Sequence, residues 1–224
     1  MVREMLVSVA LAAAIAFPAG GTYTYQIATP GASFTSTIVI APSPDGVRTH
    51  ETFGASVPIV ETDQQFDGDL AERSFVALQN GKLLTIDISP TGAHYAIEGH
   101  SADTAFNDPA CTLIDDNILT ESLMLPAIEQ ATHATECIYV VSTSPRTILA
   151  AVTTSVPATR PAQAAASDLA ITVRLGPITE IVWYDPQTLI PDYLDFGNAQ
   201  SATLTGRSPS TAIPAPTPAD SATP

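Results

Sequence analysis

The chain has 224 residues, with 23 acidic side chains against 8 basic ones and a formal net charge of −15. Lys82 is the one lysine, and the arginines are scattered singly, whereas surfaces that bind nucleic acid or anionic lipid need clustered cations. Composition therefore argues against nucleic acid, other polyphosphates and anionic lipid headgroups as partners.

The N-terminal residues 1–19 predict an export signal. Arg3 precedes an apolar run over residues 5–17, and small residues follow as far as Ala19. An apolar helix of that length reaches about 20 Å, less than the ~30 Å hydrocarbon core, so no stable membrane insertion is expected. A buried N-terminal strand or helix is the alternative. We expect an exported protein, periplasmic or secreted.

Two cleavage positions fit the end of this segment. Ala16 completes a small-x-small pattern with Ala14. A cut after Ala19 would place Phe17 at the third position before the cut, where a large side chain is unfavourable. Cleavage after Ala16 is the preferred prediction, and cleavage after Ala19 stays open.

The rest of the chain divides into a domain and a tail. Residues 208–224 contain almost only Ser, Thr, Ala, Pro and Asp, a composition that cannot bury enough apolar area to offset chain entropy. We predict that this tail is disordered. Residues 20–207 are predicted to form one β-rich domain, because that length suffices for a single substantial core.

Two-residue alternation of apolar and polar side chains predicts strands through most of the domain. Hairpin turns are predicted at Pro30-Gly31, within residues 42–46, at Asp185-Pro186, and most strongly at Asn80-Gly81. Residues 99–109 and 157–166 are predicted to be surface connections. The predicted strands cover residues 22–27, 34–40, 47–53, 57–65, 73–79, 84–89, 93–97, 137–141, 147–153, 169–175, 179–184, 188–194 and 202–207.

One helix is predicted, over residues 117–132. Leu119, Leu123 and Ala127 recur at four-residue spacing, and Pro126 is expected to kink or restart the helix. The acidic run Asp115-Asp116-Asn117 is interpreted as its N-cap, placed at the positive end of the helix dipole. An acid/base pair of the two neighbouring carboxylates is the alternative interpretation.

Cys111 and Cys137 are the two cysteines, and in an oxidising compartment an even pair predicts a disulfide. Such a bridge would join the approach to the helix with the strand that leaves it. It would stabilise the fold by about 3 to 4 kcal/mol in the chain-entropy model. Two free thiols, or one catalytic thiol, are the alternatives.

The order of these elements resembles a known family. A meander of long antiparallel strands is interrupted by a helical insertion, and a late hairpin carries Trp183-Tyr184-Asp185-Pro186-Gln187-Thr188-Leu189. This arrangement is similar to exported half-barrel proteins related to bacterial outer-membrane lipoprotein carriers and to periplasmic domains of similar build. The resemblance implies a curved sheet around a helix, with an apolar concavity able to hold an acyl chain.

Trp183 and Tyr184 are the candidate ligand-binding residues. They are neighbours on a predicted strand, so their side chains point to opposite faces of the sheet. We expect one to pack in the core and the other to line a groove. Core packing alone is the alternative.

Several metal-ligating side chains share a strand face by parity. His94, Glu98 and His100 share one face, but on a straight strand His94 and His100 would lie about 20 Å apart. Glu98 and His100 could be joined by His50 or Asp103 in a metal site. A solvated polar strand face explains them better, and Asp63, Asp67 and Asp69 are interpreted as a wet loop without calcium-loop spacing.

No catalytic residue, resident metal or cofactor is predicted. The nucleophile-elbow motif G-x-S-x-G and the glycine-rich phosphate loops are absent from the sequence. The chain is therefore not expected to be an enzyme, although a hydrolase or a metal enzyme remains as a third possibility.

The fold class predicted is mainly β, with a single strongly curved antiparallel sheet or open barrel and one helical insertion. The first functional hypothesis is an exported, non-enzymatic domain that binds an apolar, lipid-like ligand in the concavity. The alternative is a structural or interaction module of the cell envelope with no small-molecule ligand. An open apolar cavity would favour the first hypothesis, and a filled core the second.

Overall fold

A computed structural model describes residues 16–43, 45–54, 59–106, 112–115, 123–128, 135–139, 147–154, 159–175 and 178–209. Several predicted features therefore lie outside the described residues. They are most of the leader, Cys111, both ends of the predicted helix and most of the tail. The export signal, the disulfide and the disordered tail accordingly stay predictions.

Fifteen strands form one sheet. They are β1 Gly21–Thr29, β2 Ala32–Ser43, β3 Gly46–Phe53, β4 Ile59–Asp67, β5 Glu72–Gln79, β6 Lys82–Ser89, β7 Gly92–Ile97, β8 His100–Ala105, β9 Thr112–Asp115, β10 Thr135–Tyr139, β11 Thr147–Thr154, β12 Leu169–Leu175, β13 Ile178–Tyr184, β14 Pro191–Gly197 and β15 Gln200–Ser208. Their spatial order is β8-β7-β6-β5-β4-β3-β2-β1-β15-β14-β13-β12-β11-β10-β9.

The sheet is open, because β8 and β9 stand at its two ends. Its β9 end nevertheless curls round until β9 lies beside β5. Among the described strand pairs, β9 and β10 are the parallel pair and all others are antiparallel. The predicted fold class, a mainly β open curved sheet with one helical insertion, is confirmed.

The first and last strands pair at the middle of the sheet. β1 lies antiparallel to β15, from Thr22 opposite Ser208 to Ala28 opposite Ser201. Two meanders therefore run outward from this central pair, β2 to β8 on one side and β14 to β9 on the other. Ser208, the first residue of the predicted tail, is the last residue of β15.

The two strongest turn predictions are confirmed. Thr29 pairs with Ala32 across Pro30-Gly31, and Gln79 pairs with Lys82 across Asn80-Gly81. In the second turn both central residues have positive φ, 52° at Asn80 and 77° at Gly81. Positive φ at both positions is the geometry of a primed two-residue turn, whose twist matches that of the flanking strands.

The prediction of a surface loop over residues 99–109 is wrong in its first part. His100–Ala105 forms β8, paired with β7 across a turn at Glu98-Gly99. Its side chains are exposed on both faces, so the sequence shows no apolar alternation there. Backbone hydrogen bonding to β7, rather than burial, makes this segment a strand.

The strand predicted at residues 188–194 begins later, at Pro191. The carboxylate of Asp185 accepts hydrogen bonds from the Gln187 amide and from the Thr188 hydroxyl, both at 2.9 Å. The Leu189 amide also donates to the Asp185 carbonyl, and Leu189 has a positive φ of 59°. These bonds hold the chain in a wider turn than the predicted two-residue one.

The helix described, α1, covers residues 123–128 and lies between the parallel strands β9 and β10. Parallel neighbours need a crossover connection, which explains why the insertion lies at this point of the chain. Asp115 is the last residue of β9, and Asp116 and Asn117 lie outside the described residues, so the N-cap stays a prediction. In the described part of the chain, no helix is long and apolar enough to cross a membrane.

Residues at the end of the predicted leader are tied to the domain. The Ala19 amide donates to the Thr188 carbonyl at 2.8 Å, and the Tyr23 hydroxyl donates to the Ala19 carbonyl at 2.7 Å. Pro18 is buried. A cut after Ala19 would remove these contacts, whereas a cut after Ala16 would leave them in place.

We therefore expect the mature protein from an exporting host to begin at Phe17. N-terminal sequencing, or intact mass, measures this directly. Retention of the Ala19 amide and carbonyl is the physical reason, since each satisfies a backbone or side-chain hydrogen bond of the folded domain. A mature chain beginning at Gly20 would show that these contacts are dispensable.

Gly46 is predicted to be indispensable for the β2–β3 turn. Its φ is +146°, and a Cβ placed there would lie 2.0 Å from the carbonyl oxygen of Phe66. Gly46→Ala should therefore lower the free energy of unfolding by more than about 3 kcal/mol, measured by denaturant titration. Gly68→Ala is the matched control, because nothing lies within 4 Å of a Cβ at that position. Equal effects of the two substitutions would contradict the prediction.

Candidate functional site

The inner face of the sheet was the predicted ligand site. Its central part, over β1, β2 and β12 to β15, is apolar and packs against α1. The side chains of this inner cluster include Tyr23, Tyr25, Ile27, Ile38, Ile40, Ile171, Val173, Val182, Tyr184, Leu194 and Ala202. The hydroxyl of Tyr25 donates to the Pro191 carbonyl at 2.8 Å, so its polar atom is satisfied within the core.

The apolar side chains of β1, β2 and β12 to β15 form what we call the apolar floor. α1 fills the space above it. Leu123, Met124, Leu125, Ala127 and Ile128 are all 0% exposed and belong to the inner cluster. A helix that is apolar and buried on all sides belongs to the core, whereas an amphipathic surface helix has one solvent-exposed face. The central part of the inner face is therefore occupied by the protein's own side chains.

Three grooves of about 450, 360 and 260 Å³ lie at the surface of the described structure. The largest is lined by the β6–β8 residues Asp87, Ile88, His94 and Asp103, among others. None of the three is lined by α1 or by the inner-cluster tyrosines. These grooves mix polar and apolar atoms and are not the enclosed apolar cavity that the ligand hypothesis requires.

Beside the apolar floor, the inner face carries buried polar side chains over β2 to β5. Ser36 Oγ donates to Glu51 Oε1 at 2.5 Å, and Glu51 is fully buried. The Gln64 amide links the neighbouring strands, because its oxygen accepts from Thr49 and its nitrogen donates to Glu72, both at 3.2 Å. Sequence reasoning missed this buried polar network, although Thr49 and Glu51 occupy the same strand parity as Val47.

Glu180 is a further buried acid that the sequence analysis missed. It lies on β13 opposite Val173, is 3% exposed, and its Oε2 atom has no hydrogen-bond partner among the described residues. Burial disfavours the charged form and raises the pKa of Glu180 to about 7. The side chain shares inward parity with Val182 and Tyr184, so its carboxyl adjoins the apolar floor.

The outer face carries a compact group of metal-ligating side chains on β3 and β4. His50 lies directly opposite Asp63, and His50 Nδ1 is 3.1 Å from Asp63 Oδ1. Glu61 completes the group, with one ligand atom of each residue lying within 4.8 Å of the others. The hydrogen bond to Asp63 raises the pKa of His50; desolvation and nearby Arg48 oppose the shift, and the Glu61 charge supports it.

The metal grouping considered from sequence differs from this one. Glu98 lies in the β7–β8 turn and forms an ion pair with Lys82 at 2.6 Å, while His100 begins β8. The two are therefore separated by a turn and do not share a straight strand face with His94. His94 instead pairs across the sheet with Asp103, Nδ1 to Oδ1 at 2.8 Å.

The three aspartates interpreted as a solvent-exposed loop lie in different parts of the structure. Asp63 lies within β4, so for this residue the loop prediction is wrong. Asp67 ends β4 and organises the following turn, since its carboxylate accepts from the Asp69 and Ala71 amides and from Arg73 Nε. Asp69 lies in that turn and is exposed.

Trp183 and Tyr184 do point to opposite faces of β13, and both are buried. Tyr184 belongs to the inner cluster, whereas Trp183 packs on the other face with Ala164 and Ala170. The guanidinium of Arg160 lies 4.6 Å from the Trp183 ring centroid, which covers the ring from the solvent side. Neither residue lines one of the three grooves, and their role in ligand binding stays a prediction.

No family model matches the sequence, and no curated protein matches it. The fold is similar to that in the crystal structure of MucB, with 15% sequence identity, coverage of 91% of this chain and 57% of that chain, and a TM-score of 0.34. The chain thus matches little more than half the length of that protein. This is a coarse likeness of fold, and no conclusion on function is drawn from it.

The buried acid Glu180 predicts a pH-dependent stability. Its folded pKa of about 7 lies above the ordinary value of 4.5, so the unfolded chain ionises first as pH rises. Stability is therefore lost between about pH 4.5 and 7, by on the order of 3 kcal/mol. Glu180→Gln removes this ionisation. The free energy of unfolding of the variant, measured relative to wild type, should therefore be higher at pH 8 than at pH 4 by that amount.

Urea unfolding of wild type and Glu180→Gln at the two pH values measures this difference. The comparison between pH values cancels any cost of the new amide that is independent of pH. Asp69→Asn is the matched control, because Asp69 is an exposed acid in the turn after β4 and lies away from the inner face. An equal change in the free energy of unfolding at pH 4 and pH 8 would contradict the prediction. It would show that Glu180 ionises in the folded protein as readily as in the unfolded chain.

Proposed function

We propose that this chain is an exported, non-enzymatic domain of the cell envelope that acts through contacts with other macromolecules and holds no small-molecule ligand. One observation carries the proposal. The space above the apolar floor of the sheet is filled by α1, whose described residues are completely buried. To hold an acyl chain in the conformation described, the domain would need that volume to be open to the ligand.

The burial of the inner-face acids supports a non-enzymatic role. Glu51 and Glu72 are 0% exposed, and Glu180 is 3% exposed. A general acid or base must come within hydrogen-bonding reach of a substrate atom. These carboxyls are enclosed by the sheet and its core, so they serve the fold better than they would serve a substrate.

Binding of an apolar ligand is the second candidate, and one observation favours it. The occupant of the inner face is α1, whose described residues include Met124 and Pro126, and the floor beneath it is apolar. Displacement of α1 would uncover Tyr23, Tyr25 and the neighbouring aliphatic side chains. An acyl chain could then bury a comparable apolar area.

Native mass spectrometry of the mature domain, purified from an exporting host and incubated with a bacterial membrane extract, separates the two candidates. We expect the apo mass before and after incubation, because the apolar floor is already covered by α1. Solvent extraction and lipid analysis of the same sample checks for a ligand lost in the spectrometer. A stoichiometric acyl ligand in either measurement would overturn the proposal in favour of the second candidate.

A further inference from the structure

We infer that His50, Glu61 and Asp63 form a binding site for a divalent transition-metal ion, with Zn²⁺ as the ion that fits the donor set. The three residues lie on the outer face of β3 and β4. The site is separate from the filled inner face, so it goes beyond the function proposed above. An imidazole nitrogen with carboxylate oxygens is a ligand set that zinc accepts.

The backbone holds two of the ligands at a suitable separation. Because His50 and Asp63 are direct cross-strand partners, the β ladder fixes the distance between their Cα atoms. Ligand bonds of 2.0–2.1 Å in a tetrahedral site place neighbouring ligand atoms about 3.3 Å apart. The observed separation of 3.1 Å between His50 Nδ1 and Asp63 Oδ1 agrees with that value.

The third ligand is positioned by an irregularity in the sheet. The pairing of β4 with β5 shifts register between Ile59 and Glu61. Such shifts redirect side chains and recur beside functional sites. Glu61 is exposed, so its carboxylate can close onto the ion without leaving a buried position.

The surroundings leave room for further coordination. Asp63 also lines a groove of about 260 Å³ together with Arg48, Gln65 and Ser74. Water in this groove could complete the coordination of an ion held by three protein ligands. The two carboxylates outweigh the single positive charge of Arg48, so the local charge still favours a cation.

The other described histidine–aspartate pair provides an internal comparison. His94 and Asp103 lie 2.8 Å apart, but their side chains are 49% and 86% exposed. In the described part of the chain, no third ligand joins this pair to make a group like the one at His50. His94→Ala is therefore the matched control for any zinc binding that depends on a lone histidine.

The test is isothermal titration of the full-length mature protein with ZnCl₂ at pH 7.5, after treatment with a chelator and its removal. We expect one saturable site in wild type and in His94→Ala. His50→Ala and Glu61→Gln should each weaken binding by at least about tenfold, because each removes a ligand. Since Glu61 is exposed, Glu61→Gln should fold even where His50→Ala does not.

Circular dichroism of each variant confirms that the folded state is compared. The inference is overturned if wild type shows no saturable binding of Zn²⁺ up to millimolar concentration. It is also overturned if Glu61→Gln binds as tightly as wild type, since the ion would then bind elsewhere. Equal weakening by His94→Ala would likewise place the site away from His50.

Discussion

The structure depends above all on the antiparallel pairing of β1 with β15. These strands come from opposite ends of the domain, and their ladder runs from Thr22 opposite Ser208 to Ala28 opposite Ser201. Every other antiparallel pair joins strands that are consecutive in the chain. Each half can therefore form by pairing of strands that are neighbours in the sequence. Among the hydrogen-bonded strand pairs, the central pair is the one that joins the two halves into one curved sheet. Its formation requires closing nearly the whole chain, which makes it the entropically costly step and the one on which the shared core depends.

Once the halves are joined, the inner face becomes a single surface with two chemical regions. The apolar floor beneath α1 provides the hydrophobic stabilisation, and the parallel β9–β10 crossover carries α1 onto it. The neighbouring polar network is acceptable inside the fold because its members bond to one another, as Gln64 does to Thr49 and Glu72. Glu180 departs from this pattern and stays neutral until near pH 7. Burial on this scale favours an architectural role for the inner face, and the ion site that we propose lies on the outer face.

Much of the local architecture could be predicted from sequence. The Asn80-Gly81 turn and the long alternating strands such as β12 were predicted correctly, because turn geometry and two-residue periodicity depend on neighbouring residues. Predictions were wrong where pairing or side-chain capping overrode local pattern. β8 has no buried face and forms by hydrogen bonding to β7, and the Asp185 side chain widens a turn that looked like a two-residue hairpin. The candidate residues Trp183 and Tyr184 were correctly assigned to opposite faces, yet both are buried.

By itself, the sequence determined that this is an acidic, mainly β chain with a helical insertion and no recognisable catalytic motif. Those properties follow from composition and short-range pattern. Only the tertiary structure decided that α1 occupies the inner face, and that His50 meets Asp63 across the β3–β4 ladder. Side chains 13 residues apart meet only when strand register is set, and register depends on turns and on burial along the whole ladder. For the same reason the parity argument placed Glu98 and His100 on the same straight strand face as His94, whereas the turn at Glu98-Gly99 reverses the chain.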